Sequence, residues 1–167
     1  HAMRKTVLIP TDFSIESLTV LKNFLNDADN DFAYDIILLH GTHLNDSIAD
    51  LLFFSKGKIL NELSNDAFDE ACMILKNKFS SKINSLRKDI FTGYTQSAFD
   101  SYVEANRVEI ACTPANFEWN WTSKKSFDLM PYIQKSEVAV EEIGWKPLPF
   151  SPDKGNLAEI FLSGVHS

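Results

Sequence analysis

The sequence predicts an α/β domain built on a single doubly wound, five-stranded parallel sheet with helices on both faces. Three observations carry this. Strand-like and helical apolar patterns alternate five times along the chain, which calls for right-handed crossovers between parallel strands. The run Tyr34 to His40 (YDIILLH) is continuous rather than alternating, as for a central strand covered on both faces. The opening stretch Lys5 to Ser17 (KTVLIPTDFSIES) reads as strand, turn and capped helix, and in such sheets ligands bind beyond the carboxyl ends of the strands.

Taken in order, Thr6 to Ile9 is the first strand, broken at Pro10 and turning through Thr11, Asp12 and Phe13 into a helix capped by Ser14. Ile15, Leu18, Leu21, Phe24 and Leu25 recur at helical spacing, with Glu16 in the first turn where the helix dipole favours an acid. The second strand is Tyr34 to His40, closed by Gly41. Thr42 to Gly57 has no clear period and reads as a long connection that packs Leu51 to Phe54 onto the domain or a partner. From Lys58 to about Leu86, the residues Leu60, Leu63, Ala67, Ala71, Ile74 and Phe79 form one helical stripe, interrupted near Leu63 to Asp66. A short third strand is expected over Asp89 to Tyr94, ended by Gly93, followed by a helix marked by Ala98, Phe99, Tyr102 and Val103. Arg107 to Thr113 (RVEIACT) is the fourth strand and Glu137 to Ile143 (EVAVEEI) the fifth, with a broken helix around Pro131 between them.

At 167 residues and 44% hydrophobic content the chain suits one domain, over residues 4–143, with residues 144–167 as an extended tail. In that tail only Leu157 to Leu162 (LAEIFL) is apolar enough for a strand. His1 and Ala2 before Met3 read as the scar of an expression tag. No apolar run approaches the roughly 18 to 20 residues that span a bilayer, so a cytoplasmic protein without a membrane partner is expected. A net charge of -7 disfavours nucleic acid, whose attraction needs clustered Lys and Arg. Cys72 and Cys112 lie far apart in apolar stretches and read as buried, reduced thiols.

Over Arg4 to Ile143 the chain resembles a universal stress protein domain. VLIPTDFSIES resembles the family's first strand and its Asp-bearing turn, IILLH its second strand, and Gly93 falls where the third strand usually ends in glycine. SYVEANRVEIAC resembles the helix and fourth strand, and EVAVEEI sits where the fifth belongs. The resemblance implies a Rossmann-like five-stranded parallel sheet, a homodimer whose fifth strands meet, and in many members an ATP or AMP site. In nucleotide-binding members the Asp matching Asp12 holds the adenine, and Pro10 and Thr11 flank it. A loop G-x-x-G-x9-G-S/T after the fourth strand cradles the phosphates in those members. That pattern is absent: the two early glycines fall on or near Pro114 and Phe117, and no glycine lies between Gly93 and Gly144. Phosphate cradles need close, exposed backbone N–H groups, which glycine permits. Pro114 has none to offer, and Phe117, Trp119 and Trp121 place rings where phosphates would pass.

The expectation is therefore a non-catalytic, stress-related regulatory or interaction module with degenerate or lost nucleotide binding and no cofactor. The alternative is an ATP- or AMP-binding protein with an unusual loop, a slow ATPase included, in which Pro10, Thr11 and Asp12 bind the nucleotide. An enzyme of the wider nucleotide-binding α/β superfamily is a third reading. Asp12 either holds an adenine or caps its turn. His40 and His43 could ligate a metal with Asp46 or Asp50, or stand as a strand-end and a loop histidine; Gly41 favours the latter. The cluster Phe117, Trp119, Trp121 and Phe127 either fills the vacated crevice or offers a patch to an unidentified protein partner, with Trp145, Leu148 and Phe150 of the tail packing across the same face; filling accounts for lost glycines and gained rings together. Thr122 and Ser123 carry no assigned role. Glu137, Glu141 and Glu142 on the fifth strand tell against the usual dimer, since acids on an edge discourage pairing.

Overall fold

Residues 3–44, 55–121 and 123–144 are described by the computed structural model of the chain, and they form one sheet between two helical layers. The strands are β1 (Met3–Pro10), β2 (Phe32–Thr42), β3 (Ile83–Phe91), β4 (Val108–Pro114), the two-residue β5 (Ser126–Phe127) and β6 (Ala139–Ile143). Five of them run parallel in the order β3-β2-β1-β4-β6. The sixth, β5, was not expected; it pairs antiparallel with Gly41 and Thr42 at the end of β2.

Strand alternation divides the core. Val7, Ile9, Ile36 and Leu38 face α1 (Ile15–Asp27) and α3 (Asp66–Lys78), whereas Leu8, Ile37, Leu39 and Phe91 face α4 (Gln96–Ala105) and α5 (Met130–Lys135). Ser14 caps α1 through a hydrogen bond from the backbone N–H of Ser17. Pro131 falls in the first turn of α5, where its missing N–H costs nothing.

The long helical stripe is two helices, α2 (Lys56–Leu63) and α3, broken at Ser64-Asn65, where Asn65 caps α3 by accepting from the N–H of Phe68. The buried face of α3 is set by Phe68, Ala71 and Leu75. Two boundaries differ from expectation. The helix stops at Lys78 rather than near Leu86, and the third strand begins at Ile83 and ends at Phe91, before Gly93. As the outer strand of the sheet, β3 turns Asn84, Arg87 and Lys88 to polar partners, so its sequence lacks the apolar continuity of β2. The fifth parallel strand starts at Ala139, leaving Glu137 outside it; residues Ala139 to Glu142 are all exposed, so its charged residues do not sort into a buried and an open face. Leu51 to Phe54, Asp46, Asp50, Thr122, and the tail residues Trp145, Leu148, Phe150 and 157–162 lie outside the described residues.

Candidate functional site at the ends of strands β1 and β4

The strand order reverses between β1 and β4, and the carboxyl ends of these two strands bound the crevice where open α/β sheets bind ligands. Asp12 leaves β1 at this point but is only 2% exposed, and both oxygens of its carboxylate accept hydrogen bonds within the chain. Oδ1 accepts from the backbone N–H of Ser14 at 2.9 Å and from the Ser14 hydroxyl. Oδ2 accepts from the backbone N–H of Asn120 at 2.8 Å. Asp12 thus braces the turn before α1, as the capping alternative expected, and also ties down the loop that follows β4.

That loop reverses direction without glycine: Asn116 takes the left-handed conformation (φ 55°), which asparagine tolerates better than most residues. Phe117, Trp119 and Trp121 are half-buried. Their rings continue one another, Phe117 against Trp119 at 4.8 Å and Trp119 stacked on Trp121 at 5.2 Å between centroids. Trp121 meets His40 edge-on at 5.5 Å, and His40 packs on Phe13, which packs on Phe68. A row of rings therefore runs from the loop into the core beneath α3. Phe127 is not part of it. Its ring sits over Gly41, stacks on His43 and contacts Phe91 and Tyr132 on the other side of the sheet.

Pro10 and Thr11 are buried. Thr11 directs its hydroxyl to Ser17 and to the N–H of Phe13, which holds Phe13 at φ 62°. A bulky residue in that region is strained, and the packing of its ring on Phe68 and His40 offsets the strain. The Thr11 carbonyl can only accept, so His40 donates to it through Nδ1–H at 2.8 Å, and His40 Nε2 then accepts from the Ser126 hydroxyl at 2.7 Å. A serine on a histidine oriented by a third group has the outline of a nucleophilic pair. The chemistry points elsewhere: the orienting group is a neutral carbonyl, and burial lowers the imidazole pKa against the opposing pull of the Thr11 carbonyl and Asp12. His40, itself 2% exposed, ties β5 to the turn after β1.

The thiols are equally unreactive. Both cysteines are free, and burial pushes Cys72 up to about 12 and raises Cys112 further, so neither supplies a thiolate near neutral pH. Cys72 is half-buried rather than fully buried. Among the described residues no group of three His, Cys, Asp or Glu side chains is placed to hold a metal ion, and no helix is long and apolar enough to cross a membrane. His43 lies between the rings of Tyr94 and Phe127. His40 stands at the strand end as expected, whereas its partner Ser126 and the loop residue Asn120 were not expected at the crevice.

A parallel sheet in this order, with the acid-bearing turn at its reversal point, defines a doubly wound α/β domain. Its fold is that of the universal stress proteins. Universal stress protein UspA from Lactobacillus plantarum superposes with a TM-score of 0.54 at 13% identity, covering 86% of this chain and 99% of that one. Hypothetical protein MJ0577 superposes with a TM-score of 0.53 at 22% identity, covering 88% and 100%. A universal stress protein family protein from Arabidopsis thaliana, solved with AMP bound, is more distant, with a TM-score of 0.47 at 14% identity over 85% and 92%. No family sequence model and no curated protein sequence matches the chain.

Proposed function

We propose that the chain is a non-catalytic regulatory or interaction module of the universal stress protein type, in which the loop after β4 takes the place of a nucleotide. The observation that carries this reading is the hydrogen bond from the Asn120 N–H to Asp12 Oδ2. It engages Asp12 Oδ2 with the loop after β4, which also carries the stacked Trp119 and Trp121 rings. A ligand entering there must break a partly buried, charge-assisted hydrogen bond, worth about 1.5 kcal/mol, and displace packed rings as well. The protonated thiols and the weak, buried His40 support a non-catalytic role. Equilibrium binding of a fluorescent ATP analogue tests the proposal. No saturable binding is expected up to millimolar analogue; micromolar affinity would show that the loop yields, and would favour an ATP- or AMP-binding protein instead.

A further inference from the structure

A second concavity lies away from this crevice, at the edge of the sheet between α3 and β3. Its volume is about 260 Å³, and Leu38, Leu86, Cys72 and Met73 supply its apolar lining. Leu38 is 1% exposed, so the cleft reaches down to the core strand β2, while Met73 stands 66% exposed at its side. Three basic residues line it, but their charges are not equivalent. Arg87 alternates to the opposite face, where its guanidinium meets Asp89 and Asn106. Lys88 is neutralised at 2.7 Å by Asp69, a carboxylate that also lines the cleft. Lys76, on the exposed side of α3, pairs with no carboxylate among the described residues.

An apolar well under one uncompensated ammonium suits a ligand that is apolar at one end and singly negative at the other, held by that local charge against the chain's net charge of -7. Size narrows the class. An apolar cavity of about 150 Å³ takes a benzene ring, so this cleft fits a short acyl chain or a compact ring system and is smaller than the roughly 300–1,000 Å³ usual for larger ligands. We propose that the α3–β3 cleft binds a small monocarboxylate with an apolar tail, its carboxylate on Lys76 and its tail on Leu38, Leu86 and Met73. The inference is independent of the proposed function, since β2 and β1 separate this cleft from the β1–β4 crevice.

Octanoate, its neutral analogue octanamide, and the variants Lys76→Gln and Lys76→Glu form the test, read by amide chemical shifts in a titration of the whole chain. Lys76 is exposed, so neither variant threatens the fold. Saturable shifts are expected to centre on Cys72 to Lys76 and Leu86 to Lys88, with Lys76→Gln weakening octanoate about two- to fivefold, as for a solvent-exposed ion pair, and Lys76→Glu weakening it further. Octanamide should bind no better to the wild type than octanoate binds to Lys76→Gln. Equal binding of octanamide and octanoate, indifference to Lys76, or shifts that never saturate or that spread to Met3, Tyr94 and Val140 would each overturn the proposal.

Discussion

The backbone N–H of Asn120 donates to Asp12 Oδ2 at 2.8 Å across 108 residues of sequence, joining the turn after β1 to the loop after β4. Asp12→Ala leaves that N–H and the N–H of Ser14 without their partner. Both bonds are partly buried, so their loss is expected to cost about 1 kcal/mol. Chemical denaturation should give a lower midpoint with an unchanged slope, and Trp fluorescence should report a loosened loop.

Gly41 is required by its neighbour rather than by its own backbone. A Cβ there would stand 2.7 Å from the Phe127 ring. Gly41→Ala is expected to destabilise by about 1–3 kcal/mol, as other overpacked sites do. Adding Phe127→Leu should recover part of that loss, making the double-mutant cycle non-additive; strict additivity would mean the ring is not what Gly41 accommodates.

His40 sets a pH dependence whose sign follows from its lowered pKa, caused chiefly by burial. Its neutral form is favoured when folded, so the unfolded chain binds more protons below the ordinary histidine value of 6.5. The His40 contribution is fully present above that value and is lost as pH falls from there toward the folded pKa. Denaturation midpoints should decline over this window, and His40→Gln should flatten the decline. Fluorophosphonate labelling of Ser126 should be absent throughout.

Asp89 lies 3% exposed on β3. Burial alone would raise its pKa; hydrogen bonds from Tyr102 at 2.6 Å and Lys56 at 2.9 Å, with the backbone N–H of Ile90, outweigh that and lower it. Its contribution is therefore present above the ordinary value of 3.8 and disappears as pH falls through the lower folded value. Tyr102→Phe removes a hydrogen bond to a charged group, worth about 1.5–3 kcal/mol. The variant should be less stable at neutral pH and lose less on acidification, because less of the Asp89 contribution remains to be lost; an acid limb identical to wild type would tell against this network.

How far the sequence went depends on where each element buries its faces. Strands β1, β2 and β4 and the Ser14 cap were legible because two-faced burial makes the central strands apolar and capping needs a particular side chain. Strand β3 was misplaced because Asn84, Arg87, Lys88 and Asp89 spend their polarity on partners at an edge, leaving a pattern that continues the helical stripe of α3. Asp12 could be found as an acid at a turn. Its partner Asn120 could not, since a backbone N–H carries no residue identity. Phe127 was grouped with the loop rings by sequence proximity, whereas the short β5 carries it over β2.

The thermal unfolding midpoint in magnesium with millimolar ATP or AMP, measured for the wild type and for Trp119→Ala/Trp121→Ala, addresses the central claim most directly, because a ligand that binds only the folded state must raise the midpoint. No shift is expected for the wild type, and for the variant a lower starting midpoint that reflects lost ring packing on His40. A rise of several degrees in the wild type with either nucleotide would contradict the claim that the chain's own loop occupies the crevice.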